Sequence, residues 1–295
     1  MKKHKITWVC DVPNWTFDFV SRNINRFTSD KFEIERVYMK SDDFKDNLYN
    51  NELVLCPDVN QAEMFFSDYD KAVVIRLSGM RTFSKNRDEN HDFHAYDDTI
   101  KKNFIVATNT KLYNVAKRVK DDNIWLIPNP VDLDLFKPTP KKNDDFVVGI
   151  PANLDHSVNY DYKGVKYVLK ATQELGIRLK LTSYDRKKKK ENIPYKKMNE
   201  EFYSKIDCMA LPSIGEGCSN ATMEALACGV PVLITPIGYH GERLKDKHNC
   251  LMVERDKDNV KQAIKYLIDN PKKAKEIGEA GRKFAEEHHD PEIIG

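Results

Sequence analysis

Eleven short apolar runs punctuate the chain, separated by stretches of helical period, and this alternation narrows the folds open to it more than any other feature. In the first half they read ITWVC, FEIERVY, ELVLC, AVVIRL, FIVAT and IWLIP; in the second, FVVGIP, IRLKLT, CMALP, VPVLIT and CLMV. Helices are predicted between them at 15–27, 111–119, 165–175, 198–205 and 257–268. Strands that are apolar along their whole length belong in parallel sheets covered on both faces. Strand and helix in alternation predict doubly wound sheets. The runs fall into two sets, parted by KPTPKKNDD at 137–145, where prolines and charges break any apolar period. The expected architecture is α/β, with two Rossmann-like domains at 1–140 and 141–295.

A chain of 295 residues, 40% hydrophobic and 32% charged, suits two globular domains with polar surfaces. No run approaches the roughly 20 apolar residues of a membrane span. The start, MKKHKITWVCDV, turns strand-like where a secretory leader would need an apolar core. Six cysteines without a Cys-x-x-Cys pair read as reduced and structural, which predicts a cytoplasmic location. A net charge of +2 gives no reason by itself to expect nucleic acid. The run from Arg186 to Lys190 is the local exception. There a peripheral contact with anionic membrane or nucleic acid stands beside the plainer reading of a solvated loop.

The densest chemical signal is LPSIGEGCSNATMEALACGVPVLIT at 211–235. It reads as strand, Gly-rich loop, short helix, Gly-x-Pro stop and second buried strand. Ser219 and Asn220 suit a helix start; Gly229 and Pro231 suit its end. Loops at the carboxyl ends of parallel strands hold ligands, and the helix N-terminus that follows attracts anions. Glu224, inside the helix, is ill placed for a phosphate but well suited to accept hydrogen bonds from a vicinal diol such as a ribose. Each such bond contributes roughly 1.5–3 kcal/mol. Glu216, between Gly215 and Gly217, can approach a polar ring. The plainer reading is a dipole-favoured helix glutamate and an exposed loop glutamate. Either residue alone favours that reading; the whole pattern does not.

EGCSNATMEALACGVPVLIT resembles the motif of the retaining, nucleotide-sugar-dependent glycosyltransferases of family 4 (glycosyl transferases group 1), which have the GT-B architecture. The resemblance continues through IWLIPNPVDLDLFKP, FVVGIPANLDHSVNYDYKGVKYVLKAT, ENIPYKKMNEEFYSKIDCMALPS and the segment after the motif. It implies two Rossmann-like domains facing a cleft, a short N-terminal acceptor-side domain and a C-terminal donor-binding domain. It also implies that Glu224 binds the ribose and Glu216 lies near the donor sugar. The backbone of Gly217, Cys218 and Ser219 surrounds sugar and phosphates in that picture, and the backbone from Ile193 to Met198 borders the base. Lys163, in YKG, takes the place of the lysine that neutralises the departing diphosphate. The implied reaction moves a hexose from a UDP- or GDP-linked donor to a hydroxyl of a glycan, lipid-linked or other acceptor. No cofactor beyond that co-substrate, and no metal, is expected. Asp132-Leu-Asp134 has the spacing of a metal–diphosphate site but lacks the further carboxylate or histidine a hard metal would want.

Two departures from the family pattern stand out. Relatives carry an arginine soon after the first donor-domain strand. GIPANLDHS has none, which leaves Asn153 or His156 as weak phosphate contacts. Relatives also place a histidine after a first-domain strand. VVIRLSGMRTF puts Arg76 and Ser78 there, expected to line the cleft, with His91 and His94 in the polar loop beyond. At the first strand-to-helix turn, Asn14 fits a cap and Trp15 fits either an acceptor-stacking face or the core. These departures keep a second function open: a catalytically impaired GT-B-like protein that binds a nucleotide sugar or glycan. The final stretch has a helical period that Gly278 and Gly281 are expected to interrupt.

Overall fold

In a computed structural model, described over residues 3–294 except 12, 14–15, 49, 52, 80–82, 84–91, 141–144, 153–161 and 183–192, all eleven apolar runs form strands. They build two wholly parallel sheets. Compact units divide after Pro130. The first also takes in Glu216–Cys218 and the segment from Pro291, while Val131–Gly215 and Ser219–Asp290 make the second.

The first sheet has the order β2-β1-β3-β4-β5-β6. Its strands are β1 (His4–Cys10), β2 (Phe32–Tyr38), β3 (Leu53–Cys56), β4 (Val74–Leu77), β5 (Phe104–Ala107) and β6 (Ile124–Leu126). Helices α1 (Thr16–Thr28), α2 (Phe44–Asn47), α3 (Val59–Phe66), α4 (Asp97–Lys102) and α5 (Thr110–Lys117) connect them. Val54, Ile75, Leu77 and Ile105 anchor the larger core, with Leu112 of α5 packed in. The side chains of Asp58 and Asn109 cap α3 and α5, accepting from Asn60 N at 2.9 Å and Leu112 N at 2.8 Å.

The second sheet has the order β11-β10-β9-β7-β8, formed by β7 (Val147–Ile150), β8 (Arg178–Leu181), β9 (Cys208–Leu211), β10 (Val232–Ile234) and β11 (Leu251–Met252). Around it lie α6 (Val165–Leu175), α7 (Met198–Glu201), α8 (Asn220–Ala227), α9 (Gly238–Arg243), α10 (Lys257–Asp269) and α11 (Pro271–His288). Counted from its own first strand, this order repeats that of the first sheet, less one edge strand. In each sheet the strand order reverses once, between β1 and β3 and between β7 and β9. Those reversals are where doubly wound sheets bind ligands.

The glycines of the last long helix do not interrupt it. Helix α11 runs unbroken for 18 residues. A Cβ on Gly278 would come within 2.2 Å of the Gly229 carbonyl oxygen, and one on Gly281 within 2.8 Å of Leu226. Both glycines therefore serve the close approach of α11 to α8. A last short helix, α12 (Pro291–Ile294), packs on α1 within the first unit.

Candidate functional site

At the reversal of the second sheet, two loops lie side by side. Tyr162 O accepts a hydrogen bond from Ile214 N at 2.9 Å, just past the end of β9. Gly164, at φ +69°, has no room for a Cβ, which would sit 2.3 Å from Pro212 O. Lys163 is held between these two anchors, half-buried beside the carboxyl end of β9. Arg255 Nε also reaches this loop, donating to Pro212 O at 3.1 Å.

Helix α8 follows that loop. Ser219 caps it, its hydroxyl accepting from Thr222 N at 3.3 Å. Gly229, at φ +69°, closes it: Gly229 N reaches Leu226 O and Val230 N reaches Ala225 O, both at 2.9 Å. Glu224 is only 7% exposed. The Tyr203 hydroxyl donates to its Oε2 at 2.7 Å, and the other carboxylate oxygen accepts from none of the described residues. Tyr203 is itself fully buried, its ring 5.1 Å from Phe202 and 5.8 Å from Phe136. Phe136 also meets Tyr195 at 5.3 Å. The stretch holding Ile193 and Met198, both half-buried, is thereby tied to Glu224.

Burial pushes the Glu224 carboxyl up to about 8, and the Tyr203 hydrogen bond opposes that rise. The sequence reading takes Glu224 as a charged acceptor. The structure instead holds a group that keeps its proton at neutral pH while its surroundings are dry. A protonated carboxyl retains an accepting oxygen and gains a donor, so its fit to a diol survives. Nothing in the sequence points to Tyr203, since the pairing spans 21 positions.

Glu216–Cys218 group with the first unit. A Cβ on Gly217 would fall 1.8 Å from Ser78 O, so only glycine fits there. Asn109 Nδ2 donates to Gly217 O at 3.2 Å. Cys218 is clasped by Asn129, whose Nδ2 donates to Cys218 O at 2.8 Å and whose backbone N donates to its Sγ at 3.4 Å. The Oδ1 of the same Asn129 accepts from Nη2 of Arg76, which is 6% exposed. Arg76 and Ser78 are thus brought against the Gly217–Cys218 segment, Ser78 through its carbonyl. Glu216 is half-buried.

Asn14, Trp15, His91, Asn153, His156 and the run from Arg186 to Lys190 lie outside the described residues. His94 is exposed and pairs with Asp97 at 2.9 Å. Asp132 Oδ1 accepts from Asp134 N at 3.1 Å and Leu135 N at 3.0 Å, shaping its own turn. Two histidines that sequence reasoning passes over, His240 and His289, are buried with ring centroids 5.2 Å apart. Burial and the His289 ring hold His240 well below its usual pKa. All six cysteines are buried, and none is in a disulfide. Among the described residues no helix is long and apolar enough to cross a membrane.

Residues 178–284 match the family model described as Glycosyl transferases group 1. Over 85 residues the chain is 35% identical to an uncharacterized glycosyltransferase of Methanocaldococcus jannaschii, covering 28% of this chain and 24% of that one. Over 191 residues it is 23% identical to the MMP alpha-(1->4)-mannosyltransferase of Mycolicibacterium hassiacum, covering 57% of this chain and 45% of that one. The chain thus spans less than half the length of these curated relatives. The fold is similar to that of Anabaena HepE solved with UDP and glucose, with TM-score 0.73 and 13% identity over 99% of this chain and 97% of that one.

Proposed function

We propose that this chain, whose residues 178–284 match the glycosyl transferases group 1 model and whose fold is similar to that of HepE, transfers a sugar from a UDP- or GDP-linked donor to an acceptor hydroxyl with retention of configuration. The observation that carries the reading is the hydrogen bond that lays the Lys163 loop beside the loop leading from β9 into α8. It brings the loop that carries Lys163 to the loop that leads into the capped helix, where doubly wound sheets bind ligands.

Each group then has a task. The N-terminus of α8 and Lys163 stabilise charge gathering on the departing diphosphate. Glu224 receives the ribose diol on the oxygen that Tyr203 leaves over, and Glu216 orients the sugar. The acceptor attacks on the face from which the diphosphate leaves, and a phosphate oxygen takes the acceptor's proton. No enzyme carboxylate forms a glycosyl bond, and no metal enters this scheme. The protein's contribution is positioning and electrostatics. The acceptor, whether glycan, lipid-linked or another hydroxyl compound, belongs to the first domain in this reading.

A nucleotide-release assay across UDP- and GDP-sugars tests the proposal. UDP-glucose comes first, because the similarly folded HepE was solved with UDP and glucose. Turnover with one donor, lost in Glu224→Ala, is expected. Nucleotide binding without turnover on any donor and acceptor would favour a binding protein, and no nucleotide binding at all would overturn both readings.

A further inference from the structure

Arg76 is a buried cation that the fold leaves half satisfied. It stands in β4, an interior strand bonded to β3 and β5, close to the carboxyl end. Nη2 donates to Asn129 Oδ1, a neutral amide. Nη1 is buried and meets no acceptor among the described residues. None of those residues places a carboxylate in electrostatic contact with it; the neighbouring group is the Cys218 thiol. Burial raises that thiol to about 12, so it stays neutral and cannot pair with a guanidinium. Arg76 itself is drawn down by burial to about 10 and remains charged at neutral pH.

An isolated ion in a protein interior is costly unless something pairs with it. Arginine cannot escape by giving up its proton, and its planar fork matches a carboxylate or phosphate. Asn129 fixes the orientation of that fork. Its amide oxygen takes Nη2 while its amide nitrogen is committed to Cys218 O at 2.8 Å. Next to Cys218 come Gly217 and Glu216, the loop of the donor motif.

We propose that Arg76 binds an oxyanion of the donor, either its diphosphate or a carboxylate carried by its sugar. The inference rests on the glycosyltransferase reading and adds a binding residue within the unit that also holds Glu216–Cys218. In the ligand complex the anion completes the fork at Nη1, which supplies a cation to a chain that lacks an arginine after its first donor-domain strand.

The test compares the whole chain with Arg76→Gln and Arg76→Lys. Each is titrated calorimetrically with UDP, UDP-glucose, UDP-glucuronate and the corresponding GDP compounds, and each is melted without ligand. Ligand-free Arg76→Gln is expected to melt at or above wild type, since the substitution removes an unpaired charge. It should lose at least about tenfold in affinity, with Arg76→Lys in between. Equal loss across nucleotide and sugar nucleotides identifies the diphosphate; loss confined to the glucuronate compounds identifies a sugar carboxylate. Unchanged affinities would overturn the inference and leave the proposed function standing. A ligand-free variant that melts far below wild type or fails to fold would also overturn it, because Arg76 would then be a structural tie to Asn129. A wild-type chain that binds none of these nucleotides removes the glycosyltransferase reading itself.

Discussion

Glu224 and Arg76 are both ionisable side chains under 10% exposed, one in each compact unit, and the fold treats them differently. Glu224 has the Tyr203 hydroxyl at 2.7 Å and a pKa near 8, so a proton can relieve the cost of its burial. Arg76 has one amide oxygen, a second arm with no acceptor among the described residues, and no means of becoming neutral at physiological pH. An effective penalty of several kcal/mol attends an unpaired buried ion. Burial alone therefore says little about a polar residue. What distinguishes the two is how fully the described residues supply each with partners.

Four experiments sharpen or break this contrast. The largest effect is expected from Glu224→Ala, which removes both diol hydrogen bonds. Nucleotide-dependent thermal stabilisation should disappear, and its persistence would remove the ribose role. Next comes pH. The Glu224 carboxyl titrates near 4.5 when unfolded and near 8 when folded, so the folded state holds the extra proton between these values. Its stability contribution is full below about 4.5 and is lost as pH rises through about 8, a span of roughly 3–5 kcal/mol. Urea midpoints for wild type minus those for Glu224→Gln should fall across that window; parallel curves would show that the carboxyl is already ionised.

Lys163→Ala comes third. This half-buried cation lies in the second unit. Turnover should drop by about 100- to 1000-fold with an unchanged melting temperature. A matching loss of stability would make Lys163 a structural lysine. The smallest effect is that of Tyr203→Phe, which leaves a buried carboxyl without its donor and should cost about 1–3 kcal/mol in denaturant unfolding. It should also carry the pH window upward, because the Tyr203 bond opposes the rise in pKa.

All eleven strands could be read from the sequence because a parallel strand covered on both faces must be apolar throughout, and such runs stand out. Helices α3, α4 and α9 could not, being six to eight residues long with too few turns to show a period. Gly278 and Gly281 mislead for a specific reason: helix propensity penalises glycine, while the close approach of α8 requires it. At the site, Ser219 and Gly229 were legible because caps follow local rules. The partnership of Tyr203 with Glu224 was not, since it depends on how two distant segments pack. Nor does the sequence show that Arg76 meets no acid among the described residues, because a missing contact leaves no pattern in the chain.

The six cysteines carry a practical consequence. All are buried, and those at 10, 56, 218 and 250 are raised to about 12. Thiolate, the form that reacts with alkylating dyes, is scarce at each of these four. Labelling of the native chain is then gated by opening of the structure, so dye uptake becomes a clock for local and global unfolding. A single cysteine engineered onto the surface could carry a fluorophore with the native six left in place.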